Sequence, residues 1–146
     1  MNRMLDFRAA TPEDTPGIGA LYARLLLDAD WLDRDARQPR NFAALSVGEL
    51  VFVAHSRDDK LAGFVSVYKP LAFIHHLYVA PEWQRQGVAS ALLSALTPLL
   101  PKPWRLKCVR ANSAARAFYA ANGWVVISEG ESSEGTYDLL ELRAND

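Results

Sequence analysis

The sequence predicts an α/β (α+β) domain, a central mixed sheet of about seven strands flanked by about four helices. Three observations carry that expectation. Short runs rich in Val, Leu, Ile, Phe and Tyr recur along the chain and are broken by turn formers. Two stretches of small residues with helical spacing lie between the later runs, at Gly87 to Leu99 and Asn112 to Asn122. Read in order, the elements run β-α-(α)-β-β-β-α-β-α-β-β, which mixes hairpins with strand–helix–strand units.

Each element has its own signal. Met4 to Ala9 reads as the first strand. Thr11-Pro12-Glu13-Asp14 reads as a helix start: Thr11 as N-cap, proline at the first helical position, acids in the first turn. That helix should run to Leu26. Asp28 to Arg40 is charged, carries Trp31 and Pro39, and reads as a loop or a short irregular helix; Phe42 to Ser46 adds a helical turn. Leu50 to His55 and Leu61 to Tyr68 form a hairpin across Arg57-Asp58-Asp59-Lys60. Lys69-Pro70 interrupts before the strand Phe73 to Val79. Pro98, Pro101 and Pro103 close the Gly87 to Leu99 helix, and Trp104 to Val109 is the next strand. Asn112 caps a helix that ends at Asn122-Gly123, a pair suited to a left-handed C-cap. Trp124 to Ser128 and Thr136 to Leu142 complete the sheet around a polar loop, Glu129 to Gly135.

Size and composition narrow the function. At 146 residues the chain fits one domain with a real core, and half of its residues are apolar. A net charge of −1 argues against a protein that works by neutralising nucleic-acid phosphates. No window approaches the roughly 20 apolar residues of a membrane span, and the amino-terminal residues lack the apolar stretch of a secretory signal. The single cysteine, Cys108, cannot form an internal disulfide. Cytoplasmic residence is therefore the expectation. Three histidines and one cysteine show no metal-ligand spacing.

The most informative segment is Leu77-Tyr78-Val79-Ala80-Pro81-Glu82-Trp83-Gln84-Arg85-Gln86-Gly87-Val88-Ala89-Ser90. It joins an apolar strand to a helix through a loop suited to an anion. A helix start presents unpaired N–H groups and the positive end of the helix dipole. Gly87 and Ala89 leave the backbone open to diphosphate oxygens, and Arg85 can add a charge-assisted hydrogen bond. About twenty-five residues later comes Asn112-Ser113-Ala114-Ala115-Arg116-Ala117-Phe118-Tyr119, with Asn122-Gly123-Trp124 closing it. Tyr119 lies seven residues after Asn112, about two helical turns, so both project from roughly one side.

Together, in this order and spacing, the two segments resemble the GNAT superfamily of N-acetyltransferases. Its acetyl-CoA loop has the form Gln/Arg-x-x-Gly-x-Gly/Ala, here Gln84 to Ala89. The resemblance is specific from about His75 to Trp124, and Ala89 in place of the commoner glycine is within the family pattern. It implies acetyl-CoA as acyl donor and a primary amine, of a small molecule or of a protein, as acceptor, with direct attack in a ternary complex. It also implies cofactor contacts from Leu77, Tyr78, Val79, Gln84, Arg85, Gln86, Gly87, Val88, Ala89, Ser90 and Asn112. The N–H near Val79 would polarise the thioester carbonyl, a contribution typically worth on the order of 3 kcal/mol. By the same resemblance Tyr119 gives a proton to the departing thiolate, and His75 or a water takes the proton of the amine. His76 is the other candidate base. Strand alternation puts His75 on a face with Phe73, Leu77 and Val79, and His76 with Ile74 and Tyr78, so one of the two enters the cleft unless a bulge intervenes.

Other readings stay open beside these. Tyr119 and Phe118 can pack the helix onto the sheet, and capping alone accounts for Asn112. Cys108 reads as core. Glu82, Arg110 and Arg116 read as solvated charges, and Trp31 and Trp83 as packing or as an acceptor pocket. Lys107 occupies the place where some peptide N-terminal acetyltransferases carry a glutamate. Acceptor selection should reside in the segment from Asp28 to Asn41 and in the Glu129 to Gly135 loop. A non-catalytic acyl-CoA-binding or sensing module is the rival reading. A symmetric homodimer is compatible with the chain and has no signal of its own.

Overall fold

The computed structural model describes residues 5–30, 32, 46–56, 58 and 60–144. Seven strands form one sheet: β1 (Leu5–Ala9), β2 (Leu50–Ser56), β3 (Leu61–Tyr68), β4 (Phe73–Val79), β5 (Trp104–Val109), β6 (Val125–Ser132) and β7 (Gly135–Leu142). Their spatial order is β1-β2-β3-β4-β5-β7-β6. All neighbours are antiparallel except β4 and β5, which run parallel. Among the described residues there are three α-helices, against the four or so expected: α1 (Thr15–Asp28), α2 (Val88–Leu96) and α3 (Ser113–Ala121). The helical turn expected over Phe42 to Ser46, and most of the segment before it, lie outside the described residues.

Three boundaries differ from expectation for local reasons. The turn expected to open the first helix is instead a separate 3-10 turn, Pro12–Asp14, because Pro16 has no N–H to give Pro12 and Thr15 donates to that carbonyl at shorter range. The N–H of Thr11 is held by the Asp14 carboxylate at 2.7 Å. α2 begins one residue after Gly87, which caps it at φ +80°, and stops at Leu96, short of Pro98. The polar run Glu129 to Gly135 is not a loop: β6 continues to Ser132 and β7 starts at Gly135. β6 is an edge strand, so polar side chains there meet water without loss of the ladder.

The core fills both faces of the sheet. Phe64, Val53, Val65 and Val67 on β2 and β3, Leu92 and Leu96 on α2, and Trp104 on β5 are fully buried. Burial of such side chains contributes about 1.5–3 kcal/mol each. Tyr22 of α1 stacks on Tyr78 at 5.7 Å and meets His76 edge-on at 5.3 Å, so α1 covers the face that carries His76 and Tyr78. Leu92 of α2 lies on the other face, where a Cβ on Gly63 would meet it at 3.4 Å and the Tyr78 carbonyl at 2.7 Å. Gly63 is thus the residue that lets β3 and β4 approach each other here.

Candidate active site

Register decides what β4 can offer. Ala80 donates to Ala62 across β3 at 2.8 Å, and Ala62–Ala80, Phe64–Tyr78 and Ser66–His76 share one register. In an antiparallel ladder, bonded and non-bonded pairs alternate. The intervening pairs, Gly63–Val79 and Val65–Leu77, therefore turn the main-chain groups of Leu77 and Val79 away from β3, toward β5. On that side only Phe73 and Arg105 pair. Beyond them the two parallel strands part, leaving a wedge along whose β4 wall the N–H groups of Leu77 and Val79 point inward. The side chain of Gln84 covers the Val79 carbonyl at 3.1 Å. The backbone of Tyr78, by contrast, is spent on β3.

Because β4 and β5 are parallel, their carboxyl ends lie at the same end of the sheet, and each is followed by a helix. The amino termini of α2 and α3 thus flank the open end of the wedge. Crevices at such strand ends are where open α/β sheets bind ligands. The loop into α2 is unusual in conformation: Arg85 has φ +62° and Gly87 φ +80°. A non-glycine residue in that region costs roughly 1–2 kcal/mol, a strain found at ligand clamps. Gly87 followed by helical Val88 orients successive N–H groups into one concavity suited to an anion. Gln86 braces the loop through the Glu82 carbonyl at 3.0 Å. A Cβ added to Gly87 would meet nothing within 4 Å among the described residues, so the space over this backbone is open. The residues present therefore fit a diphosphate and the arm attached to it.

The other side chains singled out in the sequence have varied surroundings. The Asn112 Oδ1 accepts from the N–H of Ala115 at 3.2 Å, so it caps α3. Tyr119 is 8% exposed, packed edge-on against Trp124 and Phe118, and burial pushes its phenol proton affinity up, with Cys108 adding to the effect. Cys108 is buried and its thiol is pushed up to about 11 by desolvation first and then Asp138. Glu82 forms an ion pair with Arg24, and Arg110 holds Asp138 at 2.8 Å and also Glu129. Lys107 lies over the Tyr137 ring at 4.9 Å. Trp83 is buried, which assigns it to packing, and Trp31 lies outside the described residues.

The histidine pair departs most from simple alternation. Ser66 pairs with His76, yet Val67 pairs with Ile74, so His75 is an extra residue: a β-bulge. Cross-strand partners share a face, which groups Ile74 with Leu77 and Val79, and returns His75 to the face of His76 and Tyr78. The two imidazoles lie 4.0 Å apart, centroid to centroid. His75 therefore does not share a face with Leu77 and Val79 as alternation alone suggests. His76 lies under α1, against Tyr22. His76 is 7% exposed, with Nδ1 on the Ser66 hydroxyl at 2.7 Å, and burial together with the neighbouring His75 lowers its pKa to about 3. It is a neutral, structural imidazole. His75 is 42% exposed and its Nδ1 lies 2.9 Å from Oε2 of Glu49, whose side chain is 8% exposed. A carboxylate only accepts, so Nδ1 carries the proton and Nε2 is left as the basic nitrogen. Glu49 was not foreseeable from any motif; it precedes β2 by one position and meets His75 only through the sheet. Among the described residues no hydrogen bond or ring contact joins Tyr119 to either histidine.

Comparison with known proteins agrees with this arrangement. Residues 17–124 match the model of the acetyltransferase (GNAT) family. An aminoglycoside N(6')-acetyltransferase type 1 from Stenotrophomonas maltophilia is 32% identical over 130 residues, covering 75% of this chain and 82% of the relative. Among solved structures, the apo form of YjaB from Escherichia coli superposes with a TM-score of 0.77 at 20% identity, covering 94% of this chain and 97% of that one. NAA60 from Arabidopsis thaliana, solved with a bisubstrate analogue, superposes with a TM-score of 0.75 at 16% identity, covering 97% and 100%. The parted β4 and β5, the strained loop before α2 and these matches lead to one conclusion: the chain belongs to the GNAT family of acetyltransferases, which carry the acetyl group of acetyl-CoA to an amine.

Proposed function

We propose that the chain acetylates a small-molecule primary amine by direct attack in a ternary complex, with the donor in the wedge and the acceptor on the α1 face. One observation carries this reading: beyond the Phe73–Arg105 pair, the N–H groups that β4 turns toward β5, those of Leu77 and Val79, line a gap between two parallel strands. The Gln84 to Ser90 loop, with Arg85 and the N–H groups of Gly87, Val88 and Ala89, would hold the diphosphate. The N–H of Val79 would receive the negative charge that gathers on the thioester oxygen as the amine nitrogen bonds to the carbonyl carbon. His75 Nε2, with Glu49 fixing its tautomer, would accept the amine proton. Tyr119 would give its phenol proton to the sulfur as the carbon–sulfur bond breaks. Burial keeps that phenol protonated at working pH, and the same apolar surroundings raise the proton affinity of the thiolate along with that of the phenol, so burial acts on donor and acceptor in the same direction.

A small-molecule acceptor is supported by the aminoglycoside relative, whose identity to this chain exceeds that of the solved structures described above. Nothing favours a sensing module that binds acyl-CoA without turnover. The lone buried thiol of Cys108 fits a reducing cytoplasm. The test is amine-dependent release of free thiol from acetyl-CoA by wild type and Tyr119→Phe. The variant should bind acetyl-CoA as wild type does while kcat falls about 100-fold or more, the range of a general acid. An undiminished kcat would remove Tyr119 from the chemistry, and thiol release that ignores the amine would remove the transfer.

A further inference from the structure

Glu49 makes a contact the acetyl-transfer reading leaves incomplete. Its side chain is more than nine-tenths buried, Oε2 is taken by His75, and Oε1 is buried with no hydrogen-bond partner among the described residues. A turn places it there. Gly48 at φ +80° lets the Glu49 N–H close on the Ser46 carbonyl at 2.9 Å immediately before β2. Glu49 also lines a cavity of about 400 Å³ beside the start of α1, together with Ala10, Thr11, Thr15 and Ile18. None of these other residues carries a charge.

A buried anion with one oxygen unsatisfied lacks a cation or a donor. His75 does not supply the charge when it acts as a base, since it must then be neutral. We propose that Oε1 of Glu49 docks a second ammonium group of the acceptor, so that the preferred acceptors are di- or polyamines in which one amino group reacts at His75 and another sits on Glu49. This rests on the acetyl-transfer reading and names its substrate class. The imidazole and carboxylate lie between the two amino groups, which sets their separation on the order of 6–10 Å from hydrogen bonds near 3 Å at each step. A charge-assisted bond to a desolvated carboxylate is strong enough to appear as selectivity. A divalent metal is the competing occupant, because Glu49, His75 and His76 present ligand atoms within 4.8 Å of one another. The Nδ1 atoms of both histidines are already engaged, by Glu49 and by Ser66.

The experiment measures acetylation of 1,4-diaminobutane, spermidine and butylamine by wild type, Glu49→Gln and Glu49→Ala, after chelator treatment, by thiol release. Folding of each variant is checked by acetyl-CoA binding. Wild type should show kcat/KM at least about tenfold higher for the longer of the two polyamines than for butylamine. Both variants should reduce that ratio about tenfold or more, chiefly through KM. Turnover of butylamine with no preference for either polyamine, or a preference that survives both substitutions, would overturn the docking site while leaving acetyl transfer intact. Should none of the three be turned over, calorimetric titration of spermidine into the CoA-bound protein decides: heat lost in Glu49→Gln supports the site, and no heat in wild type refutes it. Micromolar binding of zinc to wild type, lost in Glu49→Gln and not displaced by spermidine, would assign the carboxylate to a metal instead.

Discussion

His75 and His76 are adjacent in sequence and opposite in chemistry. His76 is sealed between Tyr22, Phe64 and Tyr78, and burial first, then the neighbouring His75, disfavours a charged imidazole there. With its pKa lowered to about 3, it stays neutral throughout the working range. A rise of kcat/KM with pH near neutrality is therefore not the ionisation of His76. His75→Gln should abolish or displace that acidic limb. His76→Gln should leave it in place, and the ionisation of His76 itself would show only near pH 3. Loss of the limb in His76→Gln alone would reverse the assignment. Identity and spacing made these two residues conspicuous in the sequence. Which one keeps a hydrogen-bonded carboxylate depends on Glu49, 26 positions away, and no local pattern carries that information.

At the scale of elements, β4 and the two helices that frame its carboxyl end were legible because their signals are local. An apolar run, a proline, a glycine and a stretch of small residues are enough to place a strand, a turn and a helix start. The bulge at His75 was not legible, since alternation is read within one strand and the bulge exists only against β3. The extension of β6 through Glu129–Ser132 was hidden for a related reason: an edge strand tolerates the polar residues that otherwise signal a loop. The start of α1 shows local and long-range effects acting together. Asp14 follows the cap-like Thr11, but its carboxylate also takes two bonds from Arg8 at 2.7 and 3.0 Å and one contact from His55 at 3.1 Å, tying α1 to β1 and β2. The Arg8 guanidinium, in first place, holds this carboxyl well below the usual carboxylate range. Its folded pKa is depressed, so the stabilisation is complete above the unfolded value near 4 and is lost as pH falls toward the folded value. Asp14→Asn should cost about 2 kcal/mol at pH 7, in line with hydrogen bonds to charged groups. In urea melts the gap between wild type and variant should narrow at pH 3. A gap that is constant with pH would mean the loss is packing and not charge.

For the whole molecule, the sheet is one continuous body interrupted at a single seam. Every neighbouring pair of strands is laddered along its length except β4 and β5, which share one pair and then diverge. The family comparison establishes acetyl transfer, and the seam offers it a place. Glu49, the histidines and Tyr22 belong to the α1 side. The strained loop at Arg85 and Gly87 belongs to the open end. The most direct measurement is calorimetric titration of the protein with acetyl-CoA, alongside Gly87→Glu and Arg85→Glu. Saturable binding in wild type, weakened at least about tenfold in both variants while their folds persist, is the predicted result. Equal binding in all three would contradict the account, because the donor would then be held somewhere other than the wedge and its loop.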